Sequence, residues 1–181
     1  LMPVTINGSG SIVGLAAGGI SDAGAIASGV ITPSALPTGS VVQVKHAQTK
    51  SSTVQTSSSY INFANLDVSI TPISSSNLLV CQYNMIVRVR ENSSHGAFAW
   101  IAVSDDNGSS YLAENYHRTY DYGGSGCDLD SGACGYAIKT AGSTSARTYK
   151  IYLKLADGDS YEVNPAGNQN NSAVTVMEIA A

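Results

Sequence analysis

The stretch Leu79-Val80-Cys81-Gln82-Tyr83-Asn84-Met85-Ile86-Val87-Arg88-Val89-Arg90 decides the fold class. Its odd-numbered positions are apolar or aromatic, while its even-numbered positions pass through Gln82, Asn84, Arg88 and Arg90. Successive side chains of an extended chain point to opposite faces, so residues two apart share one side. The period of two therefore predicts a long strand with one buried and one solvated face. Cys81, set among Leu79, Tyr83 and Met85, reads as a small buried hydrophobe.

The same period spreads outward from this strand. Val42 and Val44 alternate with Val41 and Gln43, and Leu66, Val68 and Ile70 alternate with Asp67 and Ser69. Phe98, Trp100 and Ala102 form a further strand, followed by Asp105-Asp106-Asn107-Gly108, in which Asn-Gly is a strong hairpin signal. Tyr149, Ile151, Leu153 and Leu155 alternate with Lys150, Tyr152 and Lys154. Asp157-Gly158-Asp159 then turns into Tyr161 and Val163, and the chain closes on a strand over residues 172–181. About eight strands and no amphipathic helix imply an all-β chain. The expected architecture of residues 41–181 is an antiparallel β-sandwich head of jelly-roll type.

Residues 1–40 are different in kind. They hold eight of the 18 glycines, three of the five prolines and a single charge, Asp22. Short apolar pairs between glycines build neither a stable helix nor a core of their own. A flexible linker is one reading. The number of β-branched apolar residues favours another, a segment that orders by intertwining with identical copies. Ile6, Ile12, Val13, Leu15, Ile20, Ile26, Val30 and Ile31 are its candidate attachment and trimerisation residues. The span Ser11–Ile31 is not expected to insert in a membrane, because Asp22 and five glycines interrupt it and its apolar residues are mainly alanine.

Composition narrows the function. The 181 residues are 43% hydrophobic but only 12% charged, about half the usual share. The 26 Ser, 12 Thr and 12 Asn supply the polar surface instead. A net charge of −4 excludes nucleic-acid binding through a basic surface. So weak a charge also leaves little protection against self-association, which points to copies of the same chain as partners.

Catalytic and cofactor motifs are lacking. There is no G-x-S-x-G elbow, phosphate loop or H-E-x-x-H helix, and His46, His95 and His117 are scattered singly. No enzyme activity, cofactor or metal is expected. Asp128-Leu-Asp130-Ser-Gly132 begins like a calcium loop, but Lys139 stands where the twelfth-position glutamate belongs, so it reads as a solvated acidic turn. Cys127 and Cys134 flank a Gly/Asp/Ser stretch, and a bond between them would stabilise by roughly 2.5 kcal/mol in the loop-entropy model. Whether it forms depends on the compartment.

One constellation points to recognition. Tyr111, Tyr116, His117, Arg118, Tyr120 and Tyr122, with Tyr136 beyond, surround a Gly-rich loop at residues 123–135. Tyrosine joins a rigid apolar face to a hydroxyl, which suits the CH faces and hydroxyl edges of a glycan. The competing reading is that these tyrosines simply alternate along ordinary strands.

Three stretches carry a family resemblance: residues 4–20, beginning Val4-Thr-Ile6-Asn7-Gly8; residues 26–44, with Thr32-Pro-Ser-Ala-Leu36-Pro37-Thr-Gly39; and the ending Val174-Thr-Val176-Met-Glu178-Ile179-Ala. They cover roughly a third of the chain and are low in complexity. In them the chain resembles the small tail-fibre and related virion structural proteins of tailed bacteriophages. The resemblance implies a homotrimer with an intertwined N-terminal segment that binds other virion proteins. It also implies a jelly-roll head that adheres to host glycan or surface protein without enzymatic activity, on a virion assembled in the host cytoplasm. A tail-fibre or receptor-binding protein is the leading expectation. The alternative is a capsid decoration or head-fibre protein with a passive role.

Overall fold

The computed structural model describes residues 36–91, 96–120, 127–165 and 171–181, and the side chains within them except those of residues 96, 97, 119, 120 and 127–129. The described residues belong to the unit Leu36–Ala181. The eight apolar residues expected to hold copies together, Ile6 through Ile31, lie outside the described part.

Among the described residues eleven strands follow in order: β1 (Val41–Thr49), β2 (Thr53–Gln55), β3 (Ile61–Asn62), β4 (Val68–Ile70), β5 (Leu78–Glu91), β6 (Gly96–Ser104), β7 (Ala113–Tyr120), β8 (Cys127–Thr140), β9 (Arg147–Asp157), β10 (Ser160–Val163) and β11 (Ser172–Ile179). The one helical element among the described residues is a 3-10 turn, Ala64–Leu66. No described helix is long and apolar enough to cross a membrane.

The strands form two antiparallel sheets. In the first, β5 is central: β8 runs along its whole length on one side, while β11 and β10 share the other. β1 extends the sheet beyond β11, and β2 extends it beyond β10. In the second, β9 is central, with β6 and then β7 on one side and the short β3 and β4 on the other. The inner faces meet in one core, where Leu79, Cys81, Tyr83, Met85, Val87 and Val89 of β5 face Ile101, Val103, Tyr149, Ile151 and Leu153. The period-two reading of β5 therefore holds at every odd position, and the expected all-β sandwich is the observed fold. Burial pushes the Cys81 thiol up to about 12, so it packs as a neutral hydrophobe.

The turn at Asn107-Gly108 forms as expected, with φ of +61° and +82°. The Asp106 carboxylate organises it by accepting bonds from Ser104 Oγ (2.7 Å), Ser110 N (3.0 Å) and Ser110 Oγ (2.6 Å), which together hold its pKa down to about 2. The second turn, Asp157-Gly158-Asp159, carries the chain from the second sheet into the first rather than closing a hairpin.

Three expectations are corrected. The acidic turn and Gly-rich loop around residues 127–135 are instead the strand β8, whose Asp130 receives a bidentate pair from Arg88, its partner on β5 (2.6 and 3.0 Å). Turn-forming residues are overridden there by fourteen consecutive pairings with β5. Cys127 and Cys134 consequently sit seven residues apart on one strand, about 23 Å between Cα atoms, which no disulfide can span. Cys134 is a free, exposed thiol. Finally, a register shift between Val41 and Gln43 disrupts the simple alternation of β1, and Val44 lies 53% exposed rather than inside.

Glycine inside β8 has a packing reason. A Cβ on Gly135 would stand 2.5 Å from Tyr83 Oη and 2.6 Å from Asn115 Nδ2, the two atoms that hydrogen-bond each other at 2.9 Å. Gly135→Ala should therefore lower stability by about 1–3 kcal/mol through overpacking at the β8–β7 boundary, read from denaturant midpoints.

A carboxylate, Glu178 of β11, is fully buried. It accepts bonds from Asn77 Nδ2 (2.7 Å), Gln43 Nε2, and the backbone amides of Ile73 (2.8 Å) and Ser74 (3.2 Å). Burial opposes its charge, but these donors together lower its pKa below the ordinary 4.5. It thereby ties the last strand and β1 to the turn before β5.

Candidate functional site

The outer face of the second sheet carries the densest chemistry. β6 is apolar on both sides: Ala99, Ile101 and Val103 enter the core, so Phe98 and Trp100 must point outward. Register then sets their neighbours. Trp100 pairs with Tyr116 of β7 on one side and Lys154 of β9 on the other; Phe98 pairs with Arg118; Ala102 lies between Glu114 and Tyr152.

These pairs make a continuous aromatic and cationic array. The Arg118 guanidinium stands 4.9 Å over the Phe98 ring, and Phe98 stacks on Tyr116 at 5.5 Å with 17° between planes. Tyr116 meets Trp100 at 4.9 Å, and Lys154 Nζ lies 5.8 Å from the Trp100 ring and 4.5 Å over Tyr60. Tyr60 then contacts Tyr111 at 4.4 Å, which contacts Tyr152 at 5.7 Å. Three rows of strand residues give the array a length of about 14 Å along the strands.

Tyr60 enters from the loop before β3 and lies across the sheet, donating its hydroxyl to Glu114 Oε1 at 2.6 Å. Partial burial and the Glu114 carboxylate hold its phenol well above the ordinary 10, so it stays a donor. Burial, with the Tyr152 and Glu114 groups, likewise raises Tyr111. The Asn107-Gly108 turn abuts this end, because a Cβ on Gly108 would lie 2.9 Å from Tyr152 Cζ. Tyr116 is 51% exposed, and Glu114 and Arg118 are exposed beside it.

The array includes three of the six residues singled out from the sequence, Tyr111, Tyr116 and Arg118. His117 alternates to the other side of β7. There it is half-buried, its Nε2 3.0 Å from Ser131 Oγ and its ring edge-on to Tyr161 at 6.0 Å. Burial lowers its pKa below the ordinary 6.5, so it packs neutral. Tyr122 and the Tyr120 side chain lie outside the described part. Tyr136 sits on the first sheet, away from the array.

Phe98, Trp100, Tyr60, Tyr152, Glu114 and Lys154 were not legible as site residues. The signal that could have revealed two of them is the run Phe98-Ala-Trp100-Ile101-Ala-Val103, apolar on both faces of one strand. An antiparallel sheet with a solvated face ordinarily alternates apolar with polar residues. Among the described residues no three His, Cys, Asp or Glu side chains gather as a metal centre. What the array offers chemically is flat apolar rings bordered by two cations and one carboxylate: a stacking surface with polar edges.

No protein-family model and no curated protein matches the chain. Among solved structures, the chain is similar to an Eiger TNF from S. frugiperda at 9% identity, covering 76% of this chain and 92% of that one, with a TM-score of 0.43. It is similar to VP2 of infectious bursal disease virus at 12% identity, covering 77% of this chain and 36% of that one (TM-score 0.36). It is also similar to a CBM36-1 domain of a multidomain xylanase from the hindgut metagenome of Trinervitermes trinervoides at 16% identity, covering 74% and 96% (TM-score 0.33).

Proposed function

We propose that this chain is a bacteriophage virion protein of the tail-fibre or receptor-binding kind, and that the outer face of its second sheet holds a host-surface glycan. The virion reading rests on the resemblance of residues 4–20, 26–44 and 174–180 to such proteins. The binding reading rests on one observation, the array of Phe98, Trp100, Tyr116 and Tyr60 on the outer face of the second sheet, in which Tyr116 is exposed and the other three rings are partly so. Rings on strands are preorganised, so stacking on a sugar's CH face loses little side-chain freedom. Arg118, Lys154 and Glu114 at the rim supply bonds to sugar hydroxyls and, through the two cations, favour acidic sugars. On this reading the protein binds without turnover: among the described residues His46 and His117 hydrogen-bond the hydroxyls of Thr175 and Ser131, and neither is paired with a carboxylate that would make it a general base.

Trp100 is the chain's single tryptophan, so its fluorescence reports on the site directly. Host-surface polysaccharide fragments should shift or quench that emission saturably. An unchanged spectrum, with no retention of the protein on host cells, would refute the proposal. Labelling on intact particles separates the alternative: tail density supports the receptor-binding reading, and capsid density supports a decoration protein.

A further inference from the structure

Along β6 the outer face of the second sheet closes toward one end. Phe98, Trp100 and Ala102 all alternate away from the core, each two residues from the next. Phe98 and Trp100 are partly exposed, yet Ala102 is 0% exposed. So small a side chain on an outer face is buried when another element lies across it.

That element is Tyr60. Its backbone approaches from beyond β9, because the next residue, Ile61, pairs with Leu153 on the side of β9 opposite β6. Its hydroxyl nevertheless reaches Glu114 Oε1 of β7 at 2.6 Å. Ala102 lies between Glu114 and Tyr152 in register, so the Tyr60 side chain crosses the sheet over it. The crossing is braced along its length. Lys154 Nζ stands 4.5 Å over the ring, Tyr111 packs on it at 4.4 Å, and Tyr111 rests on Tyr152 at 5.7 Å.

We infer that this face holds the end of a glycan chain, and that Tyr60 is the wall against which the chain stops. The inference rests on the glycan reading above and narrows its substrate class from sugars anywhere along a polysaccharide to the terminal one. A platform for internal sugars leaves both ends of its row of rings clear, so the chain enters at one and leaves at the other. Here a chain stacked along Phe98, Tyr116 and Trp100 meets Tyr60 at the next row, about 7 Å beyond Trp100. Lys154, seated on Tyr60, closes the β9 side of Trp100. A terminal sugar carries a free hydroxyl where an internal one carries its next linkage. Lys154 Nζ as donor and the second carboxylate oxygen of Glu114 as acceptor stand at the wall to bind it.

The test is the number of protein copies bound per fragment. Short and long fragments of one host-surface polysaccharide, size-fractionated after partial hydrolysis, are titrated calorimetrically against the full chain, with Trp100 emission recorded in parallel. The wild type should bind one copy per fragment with the same molar affinity at every length. Tyr60→Ala removes the wall: it should bind short fragments about 10-fold more weakly and place more copies on a fragment as its length grows. Tyr136→Ala, at a 66% exposed ring of the first sheet, should behave as wild type. Circular dichroism establishes that each variant is folded. Wild-type copy number that rises with fragment length, or Tyr60→Ala that keeps one copy on long fragments, would overturn the inference while leaving the glycan reading in place. An unchanged Trp100 emission with every fragment would overturn both.

Discussion

Glu178→Ala should lower the unfolding free energy by about 3–5 kcal/mol, a large fraction of what holds a domain of this size together. The side chain is fully buried, and its removal strands the Asn77 amide and the Ile73 and Ser74 backbone N–H groups without an acceptor. An unsatisfied buried donor forfeits its full desolvation penalty, which exceeds the net worth of a made bond. Glu178→Gln keeps the shape and one acceptor, and Gln43 can turn its carbonyl toward the new amide, so its loss should be about half as great. The two variants thus separate the charge from the hydrogen bonds in chemical denaturation.

The same carboxylate gives the stability a pH dependence with a definite sign. Its pKa is lowered on folding, so the unfolded chain binds the proton more readily. Its contribution is complete above the ordinary value of 4.5 and is lost as pH falls through the folded value. His117 acts in the same direction at higher pH, because its folded pKa is depressed below 6.5 and protonation favours the unfolded state. The melting temperature should decline below pH 6.5 and more steeply below 4.5. Glu178→Gln should flatten the lower limb and leave the upper one, which circular dichroism melts at stepped pH will read.

Trp100→Ala should weaken glycan binding about 100-fold. Its ring is the middle of the array, in contact with Tyr116 and within reach of Lys154, and central aromatic anchors dominate recognition surfaces. Tyr116→Ala should weaken binding about 10-fold, with a small change in melting temperature because the ring is half exposed. His117→Ala is the informative contrast. It neighbours Tyr116 in sequence but faces inward, so it should lower stability and leave binding as in wild type. Titration by calorimetry against host polysaccharide checks all three; equal loss of binding from His117→Ala and Tyr116→Ala would place recognition on a different surface.

The strand period of β5, the Asn107-Gly108 turn, the alternation of β9 and the buried valines of β11 follow from the order of residues alone. Local stereochemistry dictates them: side chains alternate along an extended chain, and positive φ at a two-residue turn is easiest for Asn and Gly. Period two, however, distinguishes two faces without saying which one meets another sheet when both are apolar. That is why Phe98 and Trp100 are indistinguishable in sequence from core residues, and why Ala99, Ile101 and Val103 take the inner side only once β6 lies between β9 and β7. β8 was illegible for a related reason, since Gly, Asp and Ser favour turns unless a long partner strand satisfies their backbone, and β5 does so along its whole length. The burial of Glu178 and the gathering of Tyr60, Trp100, Glu114 and Lys154 bring together residues as many as 135 positions apart. Contacts of that range depend on sheet order and register, which the pairing of whole strands decides and no local pattern encodes.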